Sequence, residues 1–315
     1  MNLRLSTGPH FVSRESTQTL MLDVIIALIP TTAAGIYLFG TKAAWVLAAA
    51  VITAVACEYI FQKLAKRPVR VTDLSAVVTG LLVGLNMPAE APLWLPAIGS
   101  AIAILLVKEL FGGIGHNFLN PALLARGILL ASWPARMSVY FMPVRLLGNT
   151  SAIPAGVDAV SSATPLIRPG GYEIYDLLLG NIPGTIGEVC KIAILIGFLY
   201  MLFVGTIKWH IPVLFVGTVA LITWITGGDV LKAVLSGGLL FGAVFMATDY
   251  VTNPMLFTGQ VIFAIGCGVI VAVVRMTKAY PEEGVTFAIL LMNILTPLID
   301  RMTSRKVYGT VKQHA

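Results

Sequence analysis

The amino-acid sequence predicts an all-α polytopic membrane protein with about ten transmembrane helices, set in two inverted five-helix repeats with broken half-helices. Three observations lead there. Of 315 residues, 57% are hydrophobic and 11% charged, and the mean hydropathy of +0.88 lies outside the range of soluble globular domains. Apolar stretches able to cross a hydrocarbon core, which takes about 20 helical residues, recur from end to end. An acidic residue followed by a glycine-interrupted apolar run occurs twice, at Asp73–Pro88 and at Asp229–Met246.

Residues 1–21 are polar and lack the compact apolar core and small-residue cleavage site of a signal peptide, so this segment is expected to be retained and the first helix to direct insertion. A first membrane repeat, 22–133, holds expected spans at 22–39, 44–62, 73–87, 94–111 and 118–133. A connection at 134–189 leads to a second repeat, 190–300, with spans at 190–207, 211–226, 230–247, 257–275 and 284–300, followed by a tail at 301–315. The spans at 73–87 and 230–247 are short and broken by glycine or proline. With five spans in each half, the second copy enters the membrane upside down. Paired interrupted helices of this kind mark the functional centre of many transport proteins, although a shared apolar vocabulary also makes membrane helices look alike.

The net charge of +6 is gathered in particular loops, a pattern that sets topology and does not point to nucleic acid. Arg4 and Arg14 precede the first span, Lys63, Lys66, Arg67 and Arg70 follow the second, and Arg301, Arg305, Lys306 and Lys312 follow the tenth. Ten spans put all three groups on one side, the cytoplasmic face of a bacterial or archaeal inner membrane. Both termini are then cytoplasmic and 134–189 is extracytoplasmic. Arg136, Arg145 and Arg168 lie in that connection, but long loops follow the charge rule weakly.

Several cofactor classes fit poorly. Cys57, Cys190 and Cys267 are isolated, so the chain builds neither an iron–sulfur cluster alone nor a disulfide. His116 and His210 each sit beside a loop and make poor haem ligands, and Lys208-Trp209-His210 reads as an interfacial anchor. No metal site, phosphate-binding loop, dinucleotide fingerprint or hydrolytic triad is expected. Glu58, Glu109 and Glu188 are the carboxylates nearest the spans that an ion path could use, and the sequence does not choose among them.

The run DAVSSATPL at 158–166 is a small, polar stretch in an otherwise apolar chain. Its small neighbours Ser161, Ser162 and Ala163 leave the Thr164 hydroxyl unshielded, and Pro165 biases Thr164 toward extended backbone. On composition alone this is an ordinary turn. The run resembles the flavinylation signature of one family of membrane proteins, which comprises the D subunits of Rnf ferredoxin:NAD oxidoreductases and the B subunits of Na+-translocating NADH:quinone oxidoreductases. That resemblance implies FMN joined through its phosphate to Thr164, with Asp158, Ser161, Ser162, Ala163, Pro165 and Leu166 completing the motif, and a separate FAD-dependent transferase that attaches it. Ser162 stands where glycine is common in the signature; a small residue is kept.

Two further stretches extend the resemblance over most of the chain. Residues 108–122, KELFGGIGHNFLNPA, are similar to the family's K-x-x-F-G-G-x-G-x-N-x-x-N-P-A, and 245–249 repeat its F-M-A-T-D. The resemblance implies a second, non-covalent flavin near Asn117, Asn120 and Asp249, riboflavin in the quinone-reducing branch. Amides and a carboxylate suit the ribityl hydroxyls and ring edge of a flavin, while Asn-Pro and Asp-Tyr pairs also serve as helix caps and breakers. Asn117 is expected to begin the fifth helix, sharing a face with Asn120, and Asp249 to end the eighth at the same depth.

As function, the resemblance implies a membrane subunit of an ion-translocating electron-transport complex that relays electrons with movement of Na+ or H+. Its implied partners are another covalent-FMN subunit and iron–sulfur subunits. Reaching the first span by residue 22 brings the chain closer to the Rnf branch than to the quinone-reductase branch, whose N-terminal region is longer. On the repeats alone, a non-redox transporter or channel and a purely structural subunit stay open.

Overall fold

The structure is a computed structural model that describes residues 16–143, 164–166, 172–277 and 280–304. Asp158, Ser161, Ser162 and Ala163 of the flavinylation motif lie outside the described residues. Among those described there is no strand, only an isolated bridge between Pro88 and Thr185. The protein is an all-helical integral membrane protein. Four helices are long and apolar enough to cross a membrane: α1 (Thr17–Phe39), α2 (Thr41–Leu64), α12 (Phe257–Thr277) and α13 (Gly284–Thr303). At 1.5 Å per residue a helix of about 20 residues matches a hydrocarbon core of roughly 30 Å.

The remaining helices are shorter. Between α2 and the connection lie α3 (Ser75–Leu85), α4 (Trp94–Ile102), α5 (Pro121–Ser132) and α6 (Pro134–Met137). After it come α7 (Ile174–Leu179), α8 (Lys191–Val204), α9 (His210–Ile225), α10 (Val230–Leu235) and α11 (Leu239–Phe241). Two helices widen into π-geometry, α4 through Ala103–Glu109 and α11 through Gly242–Met246. Such bulges concentrate at functional positions.

Local chemistry explains these boundaries. Ser16 caps α1 by accepting from the Thr19 N–H at 3.2 Å, and Gly40, at φ 78°, takes the turn into α2. The short third element of each half starts at an aspartate: Asp73 accepts from the Ser75 N–H at 2.9 Å and Asp229 from the Lys232 N–H at 3.2 Å. Where α3 stops, its free carbonyls are taken by a neighbouring segment. Gly187 N–H donates to Leu85 O at 2.8 Å and Ile186 N–H to Met87 O at 3.1 Å. Irregular backbone persists at membrane depth only when protein satisfies it in this way.

Packing joins helices distant in sequence. The leading helices α1 and α8 lie against each other, as do the closing helices α5 and α13, and α2 packs on α4 as α9 packs on α12. Close approach of α1 and α8 depends on Gly197. A β-carbon there would overlap the Ala27 carbonyl oxygen and lie 2.8 Å from the Phe245 ring. Gly197→Leu should therefore destabilise the protein by about 1–3 kcal/mol or more through overpacking, read as a lower midpoint of heat-induced aggregation in detergent. Gly217→Ala, where nothing lies within 4 Å of the added carbon, should melt like the parent. Equal midpoints for the two variants would contradict this packing.

Candidate functional site

Two cavities occupy opposite ends of α3. At its C-terminal end, Asn86 O accepts from Arg126, and Arg126 forms a buried fork with Glu283, Nε to Oε2 at 2.9 Å and Nη2 to Oε1 at 2.5 Å. Glu283 precedes α13 and lines an open cleft enclosing about 2070 Å³. Pro165 and Leu166 line the same cleft, as do the cations Lys232 and Arg275 and the carboxylates Asp229 and Glu282. Arg275 also donates to Ala233 O at 2.6 Å and Ser236 O at 3.1 Å, which holds the break between α10 and α11.

Thr164 directly precedes the cleft-lining Pro165. Its hydroxyl donates to Glu282, and the residue is only 3% exposed, so the expectation of an unshielded side chain is corrected. The reason is tertiary. Leu166 packs where a β-carbon on Gly237 would stand 2.7 Å away, and this draws Thr164 onto the connection between α12 and α13. Apolar walls, two cations and a hydroxyl beside them suit a phosphate-linked ring, since Arg and Lys bind phosphate by charge-assisted hydrogen bonds. The hydroxyl must leave Glu282 before it can be esterified.

At the other end of α3, Ser75 lines a smaller cavity. Asn117, Asn120 and Asp249 all line it, beside Val78, Leu82 and Phe245. The local structure differs from expectation. α5 starts at Pro121, with Asn120 as its cap, so Asn117 lies in the preceding turn and the two amides share no helical face. Proline favours the first helical position, and Gly112, Gly113 and Gly115, at φ of 119°, 94° and 88°, keep the approach non-helical. Asp249 likewise lies in the turn after the π-segment, where it accepts from the Val251 N–H at 3.4 Å and the Thr252 hydroxyl at 3.2 Å.

The three polar groups are unequally free. Asn120 Oδ1 accepts from the Ala122 and Leu123 N–H groups at 3.1 and 3.2 Å, and its Nδ2 donates to Met246 O at 3.3 Å. It serves as helix cap and as tie between the halves. Asn117 Nδ2 donates to Leu119 O at 3.3 Å. Asn120 and Arg126 are two turns apart on α5, about 9 Å of rise, and this is all that separates the polar floor of one cavity from the guanidinium beside the other.

Sequence reasoning missed Arg126, Glu282 and Glu283. Arg126 carried a usable signal, as the only charge in the apolar run ALLARGILL at 122–130. Glu282 and Glu283 carried none, because two glutamates in a connection read as solvated.

Comparison with known proteins bears on what this arrangement serves. Residues 4–309 match the model of the NQR2, RnfD, RnfE family. The chain belongs to that family. Similar proteins include the D subunit of the Na+-translocating ferredoxin:NAD+ oxidoreductase complex of Acetobacterium woodii, 44% identical across 99% of this chain and 97% of the relative. The D subunit of the proton-translocating ferredoxin:NAD+ oxidoreductase complex of Clostridium ljungdahlii is 40% identical across 97% of this chain and 96% of the relative. That of an ion-translocating oxidoreductase complex of Stutzerimonas stutzeri is 40% identical across 94% of this chain and 93% of the relative.

The loop carboxylate beside Thr164 makes a testable pH signature for this member of the family. Burial pushes the Glu282 carboxyl up to about 7, against the opposing effect of the Thr164 hydroxyl donating to its ionised form. A raised carboxyl pKa means the fold favours the protonated group, so stability from Glu282 is fullest at acid pH and declines as pH rises through about 7. Infrared difference spectra should show a protonated-carboxyl band lost near neutral pH and missing in Glu282→Gln. Compared with parent protein produced without any modification of Thr164, the band in Thr164→Val should persist to higher pH, because a donor to the carboxylate is gone. A band that titrates unchanged in Thr164→Val would contradict the contact.

Proposed function

We propose that the chain is the membrane subunit through which an Rnf-type ferredoxin:NAD oxidoreductase complex relays electrons, coupled to Na+ or H+ movement, with FMN esterified to Thr164 and a second flavin held without a covalent bond. The observation that carries this reading is the motif DAVSSATPL, whose Thr164 directly precedes Pro165 and Leu166, two residues that line a cleft with apolar walls and cations. Family membership and the names of the relatives support the complex; the motif supports the cofactor. Flavin, when bound, supplies transfer of one or two electrons at a time. What this chain contributes is position. Lys232 and Arg275 would face the phosphate, Pro165 and Leu166 would cover apolar ring surface, and the buried Arg126–Glu283 pair keeps water from the region between the cavities. In the smaller cavity Asn117 and Asp249 would orient the second ring, while Asn120 fixes the wall behind it.

The topology proposed with this function has ten spans in two inverted repeats. Helices occur in each of the ten apolar segments, and α1 packs on α8 and α5 on α13, which supports it. Both termini are then cytoplasmic, and 134–189 faces outward, where the transferase and partner subunits would reach Thr164. Electrons would enter at the outer cleft and pass along α5 to the inner cavity. Partners would be the other membrane subunits, including a second covalent-FMN subunit, and iron–sulfur subunits that react with the soluble donors.

Both flavins are tested on the purified complex. Thr164→Val should abolish the ultraviolet-fluorescent band of this protein on a denaturing gel, because covalent flavin survives denaturation, and should leave the chain in the membrane. Fluorescence that persists would sink the Thr164 assignment. Asn117→Leu with Asp249→Asn should reduce acid-extractable flavin by about tenfold, as expected for loss of hydrogen bonds worth about 0.5–1.5 kcal/mol each. Undiminished extractable flavin in folded protein would place the second site elsewhere.

A further inference from the structure

The basic end of the bundle carries a third cavity that the reading above does not use. It is an open vestibule enclosing about 640 Å³, lined by Glu58, Gln62, Arg67, Arg70, Asp73 and Glu109. Only a septum of side chains divides it from the cavity of Asn117. Lys108 Nζ, on the π-widened end of α4, donates to Glu58 Oε1 at 2.7 Å and to Ser75 Oγ at 2.6 Å. Lys108 and Ser75 line the inner cavity, and Glu58 lines the vestibule, so one ion pair touches both spaces.

The rest of the network fixes that pair. Gln62 Nε2 donates to Glu58 Oε1 at 3.1 Å and to Glu109 Oε1 at 3.0 Å, and Gln62 Oε1 accepts from the Arg70 N–H at 2.8 Å. Arg67 donates to Glu109 O at 3.3 Å, and Ser75 Oγ donates to Asp73 Oδ1 at 2.5 Å. The charged groups facing the pair are therefore Asp73, Glu109, Arg67 and Arg70. Both partners are nearly inaccessible, at 4% and 1% side-chain exposure. Yet Glu58 Oε2 is buried with no partner of its own. A purely structural pair has no use for an unpaired buried oxygen, because a half-satisfied carboxylate destabilises the fold. Ionisable groups at membrane depth are functional by default.

We propose that Glu58 and Lys108 form a proton relay between the vestibule and the inner cavity, an inference that rests on that cavity holding a reducible group. In one cycle an Nζ–H bond of Lys108 breaks as its proton passes into the cavity, to a base that has gained negative charge from the electrons supplied by the complex. Glu58 swings Oε2, buried in the resting fold, toward the vestibule, takes a proton there from hydronium, turns back, and gives it to Lys108 Nζ along their hydrogen bond. One proton has left the vestibule, one has entered the cavity, and the pair regains its starting charges. A bare cation is poorly served here, since it would find only Glu58 Oε2, beside the repelling Lys108 ammonium, and Gln62 Oε1 is taken by backbone.

The test uses the intact complex, rapidly reduced, with proton uptake followed by an indicator dye and flavin reduction by absorbance. Glu58→Gln should slow proton uptake by about tenfold or more, the scale of losing a positioned acid–base group, and Glu58→Asp should restore part of it. Uptake at the parental rate in Glu58→Gln would overturn the proposal. Should that variant not assemble, the neutral pair Glu58→Gln/Lys108→Met is read in the same way. In the unaltered complex a hydrophobic carbodiimide should attach to Glu58 and block uptake; attachment without effect would also overturn it. A parental complex without acid-extractable flavin would remove the second-flavin reading and this relay together, whereas extractable flavin with unaltered uptake in Glu58→Gln defeats the relay alone.

Discussion

The guanidinium of Arg126 holds together three elements with hydrogen bonds. It comes from the middle of α5, forks onto Glu283 at the start of α13, and donates to Asn86 where α3 stops. One side chain therefore closes the first half of the chain against the second and satisfies the carbonyl that a broken helix exposes. Tyr140 lies at 3.5 Å from the same group and ties the segment after α6 to it. In a medium without water to take up stray donors and acceptors, this closure is what permits α3 to end inside the bundle at all.

The same constraint recurs at every interruption. Arg275 covers the carbonyls released between α10 and α11, the Ile186 and Gly187 N–H groups cover those beyond α3, and Asn120 ties the start of α5 to Met246 O. Some breaks are closed from across the chain or from the segment between, whereas Arg126 on Asn86 O and Arg275 on Ala233 O and Ser236 O act nearer in sequence. The cavities are the space these breaks leave. The inner cavity lies at the Asn120 cap of α5, and Arg126 on the same helix reaches Glu283, which lines the cleft.

Much of this was legible in the sequence because hydrophobicity in a bilayer is a coarse signal that requires no knowledge of packing. The helical class, the interrupted segments at Asp73 and Asp229, and the meeting of Asn117, Asn120 and Asp249 at one cavity all follow from runs of residue type and from motifs. Tertiary contact was not legible. Nothing local to Thr164 announces that Leu166 will seat against Gly237 and bury the hydroxyl against Glu282, 118 residues further on. Nor could spacing show that Asn120 would spend its amide as a cap; that depended on Pro121 choosing the first helical position. The sequence left Glu58, Glu109 and Glu188 equivalent, and only the fold separates Glu58, through its contact with Lys108 and its unpaired oxygen.

The central claim is that Arg126 and Glu283 act as one unit on which closure of the two halves depends, and a double-substitution cycle on unfolding tests it most directly. Arg126→Met alone leaves Glu283 buried without its counter-ion, with only hydroxyl donors such as Thr286, and should destabilise the protein by about 3–5 kcal/mol. Arg126→Met combined with Glu283→Leu should lose distinctly less than the single change, with a remainder of about 1–3 kcal/mol from the unsatisfied Asn86 carbonyl. Additive losses, or an Arg126→Met variant as stable as the parent, would contradict the account.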